Sequence, residues 1–334
     1  MLLILSGNLS KAPYVSFYED LGSIRVIAWN RTGHNSKAEF VFEYPFSENF
    51  SNVWATLYTY FKYSLFVRNI LRETNEQRIV IFNVANFLFL SLFCHRELKK
   101  RRVVFDLRDF STAFRYYKFL VKILCKSLKT LNVYSSPAFV REMNDRNGVL
   151  VHNIQGVGFI QNDFRPLRIM STIGSIRDVN ENIEVISMAA ELGFMNRIHG
   201  DGPALIKLQE HFKQNTIDIE FTGFFEERQK PELVHNADII NNYNKSDFNG
   251  SKLLSNRFYI SIMSATPQVV NKNTYQGRLA IHYGVGFGID NFKRFRENWS
   301  LEFWNEYKIN CESLLKEILY QNEKAKIVIN EHFN

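Results

Sequence analysis

The chain has 334 residues, with 41 Lys and Arg against 34 Asp and Glu, a net charge of +7, and 46% hydrophobic residues. That composition excludes a disordered or low-complexity chain, and the length predicts two domains. Three widely spaced cysteines (Cys94, Cys125, Cys311) exclude a disulfide framework or zinc motif and suit a reducing compartment, no secretory signal is expected, and the apolar run 85–94 is too short to span a bilayer.

Apolar β-type runs are predicted at 2–6, 24–29, 40–44, 78–84, 102–107, 131–135 and 149–151, with helices at 50–73, 86–98, 113–128 and 137–145 among them. Short strands alternating with helices predict βαβ units and a parallel sheet. The stretch 155–168 reads as a linker. The alternation then restarts, with strands at 169–173, 194–199, 217–221, 237–241 and 268–270 and helices at 182–192, 203–213, 226–235 and 251–263. From Asn291 the chain is mainly helical, with Leu301, Trp304, Tyr307, Cys311, Leu314 and Leu315 on helical spacing. The expected fold class is α/β, with two doubly wound, Rossmann-like domains at 1–165 and 166–334 facing a cleft. The last helix is a candidate to cross back. Ligands in such domains bind at the carboxyl ends of the strands.

The net charge hides an asymmetry, since residues 1–165 carry +9 and residues 166–334 carry −2. Arg115, Lys118, Lys122, Lys126 and Lys129 are spaced by three or four residues, which places them on one helical stripe. Acidic residues are absent from 111–140, and the cluster Lys99-Lys100-Arg101-Arg102 precedes the helix. Such a helix suits an anionic bilayer surface, or it is a solvated face on an ordinary domain helix. Nucleic acid is not the expected partner, because no motif for it accompanies the stripe.

Three strand ends in the second half carry glycine before a helix: Gly174-Ser175-Ile176-Arg177, Gly200-Asp201-Gly202-Pro203 and Gly223-Phe224. Glycine admits close approach of a ligand to backbone, and a helix N-terminus offers N–H groups to phosphate. Arg177 and Arg257 are candidates to grip a diphosphate, with Tyr243, Asn256 and Tyr259 as further ligand contacts. An N-capped helix with Arg257 in solvent is the alternative. Neither the dinucleotide fingerprint nor the Walker loop is present.

The order of these elements, together with Ala237-Asp238, Asn256-Arg257-Phe258-Tyr259 and Thr266-Pro267, resembles the donor half of GT-B glycosyltransferases. The similarity is to the family-four type of bacterial capsule and exopolysaccharide synthesis. Ser135-Ser136-Pro137 and Val151-His152-Asn153 resemble elements of the other half. The resemblance implies that Gly174, Ser175, Gly200, Asp201, Gly202, Gly223, Tyr243, Asn256 and Tyr259 bind a nucleotide-diphosphate sugar, with a UDP-linked sugar expected. It places Asp109, Arg177 and Arg257 in catalysis and Gly7, Asn8 and Arg108 on the acceptor side. Asp109 is equally a helix cap, and Gly7-Asn8 equally a plain turn. His34 and His152 read as structural hydrogen-bonders.

Two positions depart from the family pattern: Ile260 stands where an acidic ribose ligand is expected, and Ala265 replaces a glycine. Asn180 and Asn182 occupy the region of an expected lysine. The resemblance implies a retaining hexosyltransferase without metal or other cofactor. Its acceptor is a glycan or a polyprenyl-diphosphate-linked sugar, and its location the inner face of the cell membrane, with Arg115, Lys118, Lys122 and Lys126 as membrane contacts. A catalytically inactive binding subunit and a nucleotide-sugar epimerase are the competing readings.

Overall fold

The structure, a computed structural model, describes residues 1–6, 15–30, 39–43, 53–110, 114–154, 163–213 and 217–334. The chain divides into two compact units. Unit 1 comprises Met1–Gln155 with Tyr320–Asn334, and unit 2 comprises Gly156–Leu319.

Unit 1 holds seven parallel strands: β1 (Leu2–Ser6), β2 (Ile24–Asn30), β3 (Phe40–Glu43), β4 (Arg78–Phe82), β5 (Arg102–Leu107), β6 (Leu131–Tyr134) and β7 (Val149–Leu150). Their order is β3-β2-β1-β4-β5-β6-β7. Leu2–Leu5, Ile79–Phe82 and Val103–Leu107 are buried without alternation, as strands covered on both faces require. The helices are α1 (Val15–Glu19), α2 (Val53–Glu73), α3 (Val84–Phe93), α4 (His95–Leu98), α5 (Phe114–Leu128) and α6 (Pro137–Met143). The predicted helix 86–98 is two helices, broken where Cys94 leaves helical geometry (φ −118°, ψ 18°) and its thiol reaches the Ser64 carbonyl at 3.3 Å.

Unit 2 repeats the plan with β8 (Ile169–Ile173), β9 (Met195–His199), β10 (Ile219–Gly223), β11 (Ile239–Asn242), β12 (Gln268–Val270) and β13 (Phe287–Gly288), in the order β10-β9-β8-β11-β12-β13. Its helices are α7 (Val179–Glu191), α8 (Leu205–Phe212), α9 (Lys230–His235), α10 (Asn256–Ser264), α11 (Tyr275–His282), α12 (Phe292–Glu297) and α13 (Leu301–Phe333), whose last part belongs to unit 1. The helix expected at 251–263 begins at Asn256, because Ser255 caps it by accepting from the Phe258 N–H at 3.3 Å. Sequence periodicity missed α11 and β13. The first is a short helix with a glycine inside it and the second is two residues long.

Within unit 1, Ala325, Ile329 and Phe333 from the end of α13 pack against Leu2, Ile4, Val80, Val104 and Val133. Burial of Ile329 and of Phe333 contributes about 2 kcal/mol each. Asn322 clasps the backbone of His152 on both sides, accepting from its N–H at 2.7 Å and donating to its carbonyl at 3.2 Å. The His152 ring meets Gln321 Oε1 at 2.8 Å, so His152 is a structural residue. His34 lies outside the described residues.

In each sheet the strand order reverses at one place, between β1 and β4 in unit 1 and between β8 and β11 in unit 2. Connections leave these neighbours in opposite directions, which opens a crevice at their carboxyl ends.

Candidate functional site

The three glycine loops of unit 2 are assembled into one row. The Gly174 N–H donates to the His199 carbonyl at 2.8 Å, and the Gly200 N–H to the Gly223 carbonyl at 2.7 Å. The Ile176 N–H donates to the Asp201 carbonyl at 2.9 Å, and the Ala204 N–H to the Ile176 carbonyl at 3.1 Å. Glycine is required here for two different reasons. At Gly200 a Cβ would lie 1.9 Å from the Gly174 carbonyl oxygen, so this glycine serves loop-on-loop packing, and Gly202 faces Ile176 in the same way. Gly174 (φ +110°) has open space where its Cβ would be, so it leaves backbone free toward solvent at the β8 end.

Arg257 occupies the crevice itself. One nitrogen of its guanidinium donates to the Ser175 carbonyl in the loop after β8 at 2.8 Å, and another to the Asn241 carbonyl on β11 at 3.1 Å. It therefore spans the strand pair at which the sheet reverses. Arg177 sits on the same residue, its Nε donating to Ser175 Oγ at 3.2 Å. Neither guanidinium has a carboxylate within ion-pair distance among the described residues. Desolvation pulls the Arg257 pKa down to about 10, opposed by the attraction of Asp178 and assisted by repulsion from Arg177. A cation that burial and a like charge both disfavour is one that a bound anion would stabilise. Asp178, half-buried, is held above its usual range by burial and then by Glu181, while a backbone N–H of Lys245 opposes the shift.

The remaining predicted contacts divide. Ser175, Asp201 and Asn256 are exposed at the loop row, with Asp201 accepting from the Gly202 N–H at 2.6 Å. Tyr243 is half-buried, its hydroxyl 3.5 Å from Glu184. Tyr259 is 2% exposed and packs edge-on to Phe258. It is a core side chain, so the expectation of a ligand contact there is corrected. Ile260 packs on the cluster of Ile173, Val234, Ala237 and Ile240, which explains why an apolar residue stands at that position. Asn182 is buried and accepts from Asn241 Nδ2 at 3.1 Å, tying the first turn of α7 to β11. Asp238 lies at the opposite end of β11, paired with Arg165 at 2.6 Å and accepting from the Arg168 and Ile169 N–H groups.

Sequence reasoning missed a buried amide network at the ends of β11 and β12. Asn242 donates to Gln268 at 2.7 Å and accepts from Ser255 Oγ at 2.7 Å, and Gln276 accepts from the Ser255 N–H at 2.7 Å. Asn241 donates to Thr172 Oγ1 at 2.9 Å. This network fixes the α10 N-terminus and so aims Arg257. Its signal was the run Asn241-Asn242 closing an apolar strand, since a buried amide needs a partner.

In unit 1, Arg108 is not free to meet an acceptor, which corrects its assignment. Its guanidinium is buried, ion-paired to Asp106 at 2.6 Å and donating to the Val151 carbonyl at 3.0 Å. Asp106 also accepts from the Tyr18 hydroxyl at 2.7 Å, and burial raises the Tyr18 pKa. Asp109, next along the chain, is exposed at the β5 end. Gly7 and Asn8 lie outside the described residues.

The basic helix has three faces. Phe114, Val121, Cys125 and Leu128 are buried, whereas Tyr116 (78% exposed), Phe119 (77%), Leu120 and Ile123 point outward. The cations run along the flank between these faces. Lys118 is paired with Glu142 at 2.7 Å, and Arg115 lies over the Tyr116 ring. The neighbouring helices α2 and α3 expose Trp54, Tyr58 and Leu92. Among the described residues no helix is long and apolar enough to cross a membrane, and no group of His, Cys, Asp and Glu is placed to hold a metal.

No protein-family profile and no curated protein matches the sequence. Solved structures do match its fold. WaaG, a glycosyltransferase involved in lipopolysaccharide biosynthesis, aligns over 98% of this chain and 99% of its own with TM-score 0.64 and 12% identity. A Listeria monocytogenes protein assigned as a UDP-N-acetylglucosamine 2-epimerase aligns over 94% of each chain (TM-score 0.57, 8% identity). MurG of Acinetobacter baumannii aligns over 99% of this chain and 100% of its own (TM-score 0.54, 8% identity). The two doubly wound units are thus those of the GT-B fold.

Proposed function

We propose that the chain is a glycosyltransferase that takes a sugar from a nucleoside-diphosphate donor, a UDP-linked hexose being the expected one. The observation that carries this reading is the crevice of unit 2, where two guanidiniums with no carboxylate at ion-pair distance among the described residues converge on Ser175 beside the open backbone of Gly174. As the bond between the anomeric carbon and the phosphate oxygen breaks, negative charge grows on the diphosphate. Preorganised positive groups lower the barrier by stabilising that charge. Arg257 and Arg177 supply it from the protein, so the reading needs no metal. The resemblance to family-four enzymes favours retention of configuration, with Asp109 on the acceptor side.

The exposed aromatic face of α5 with its flank of cations suits an anionic membrane surface, apolar rings meeting acyl chains and ammonium groups meeting phosphates. That favours a membrane-borne acceptor such as a polyprenyl-diphosphate-linked glycan in surface polysaccharide assembly. An epimerase shares the fold, and the two activities separate by product. With a panel of nucleotide sugars, a glycosyltransferase gives nucleoside diphosphate in proportion to acceptor glycosylated, whereas an epimerase alters the donor alone. Altered donor with no acceptor product would overturn the transferase reading. Absence of turnover with every pair would leave the chain a binding subunit.

A further inference from the structure

Unit 1 contains a cavity of about 440 Å³ at the C-terminal end of α5, lined by Lys122, Lys126, Lys129, Asn132, Asn144 and Asn147 among others. It lies at the start of β6, the end of the sheet remote from the carboxyl ends of the strands. The ammonium groups of the three lysines have no ion-pair or hydrogen-bond partner among the described residues. One carboxylate, Asp145, also lines the space, and internal donors occupy it: Asn132 Nδ2 at 2.7 Å, the Tyr134 hydroxyl at 2.8 Å and the Asn147 N–H at 3.1 Å. Three positive charges therefore face one cavity against a single negative charge already held by the protein.

Lys129 is further marked by its backbone. It ends α5 at φ +53°, a left-handed position that favours glycine, and the Thr130 N–H closes the turn on the Cys125 carbonyl at 3.0 Å. The carboxamides of Asn144 and Asn147 are exposed at the rim. They present donors and acceptors of the kind that recognise hydroxyl groups.

We infer that this cavity binds a phosphate-bearing polyol, its phosphate met by Lys122, Lys126 and Lys129 and its hydroxyls by the carboxamides of Asn144 and Asn147. The volume is generous for inorganic phosphate and admits a phosphate joined to a glycerol or sugar unit. The ligand is a phospholipid headgroup or a soluble sugar or glycerol phosphate. The headgroup source rests on the membrane reading above; the pocket chemistry does not.

The test measures binding of glycerol 3-phosphate by calorimetry and flotation with vesicles of phosphatidylglycerol in phosphatidylcholine, using the full chain. Two charge-matched variants are compared, Lys126→Gln/Lys129→Gln in the pocket and Lys99→Gln/Lys100→Gln outside it. All four lysines are exposed, so both variants are expected to fold. The pocket variant should lose about tenfold or more in glycerol phosphate affinity and the control almost none. Glycerol phosphate binding without vesicle binding supports a soluble ligand and removes the membrane reading. Vesicle binding weakened more by the pocket pair than by the control supports a lipid headgroup. Equal weakening by both pairs, with no glycerol phosphate binding, overturns the pocket while leaving a diffuse membrane attraction. Binding of neither probe by the unaltered protein overturns both.

Discussion

Replacing Arg257 by Gln is expected to weaken binding of a nucleoside diphosphate by roughly thirtyfold to several hundredfold, about 2–4 kcal/mol, while leaving the unliganded protein folded. The asymmetry follows from what Arg257 does in the absence of ligand. Its fork holds two carbonyls, Ser175 and Asn241, which favours it. Burial and the nearby Arg177 disfavour its charge, and the two effects oppose each other in the folded protein. A diphosphate adds charge-assisted hydrogen bonds and relieves the repulsion between the guanidiniums, so the loss falls on the complex. Arg257→Lys should be intermediate, because an ammonium keeps the charge without the planar fork that spans β8 and β11. Calorimetric titration of UDP with thermal melting of the free protein checks both halves. An unchanged affinity in a folded Arg257→Gln protein would remove this residue from the site.

Asp106→Ala is expected to cost about 3–5 kcal/mol of stability, the value typical of breaking a buried ion pair from one side. Asp106 is fully buried and holds both Arg108 and the Tyr18 hydroxyl. Its removal leaves the buried Arg108 guanidinium without its carboxylate and takes the acceptor from the Tyr18 hydroxyl. A domain stable by about 5–15 kcal/mol loses much of its margin in this way. Removing both charges together, in Asp106→Ala/Arg108→Met, should recover a large part of the loss, because no buried charge is then left uncompensated. Urea denaturation of the two variants measures the difference. A loss below about 1 kcal/mol for Asp106→Ala would show the pair to be solvated, contrary to its burial.

The strands were legible because parallel sheets covered on both faces write themselves as apolar runs, as in Leu2–Ser6 and Arg102–Leu107. The glycine loops were legible as a row of strand ends, and Arg177 and Arg257 as cations at helix starts. What sequence order could not show was which side of each residue faces inward. Gly200 and Gly174 look alike in the chain, yet one is filled by a neighbouring carbonyl and the other is open. Arg108 and Asp109 are adjacent just beyond β5 and diverge, one folded back and buried against Asp106 and one exposed, which their order in the chain does not show. Tyr259 falls one helical turn beyond Ser255, on the inward side of α10, which spacing from Arg257 alone did not resolve. The second apolar face of α5 was hidden for a related reason. Tyr116, Phe119 and Ile123 are as apolar as Phe114 and Val121, and only packing separates them.

The measurement that bears most directly on the central claim is calorimetric titration of the intact chain with UDP, GDP, ADP, CDP and dTDP, paired with thermal melting. Saturable one-to-one binding of at least one of them is expected, with a raised melting temperature and loss of both effects in Arg177→Ala/Arg257→Gln. Absence of binding by all five, or binding undiminished in that double variant, would contradict the assignment of the unit 2 crevice as a donor diphosphate site.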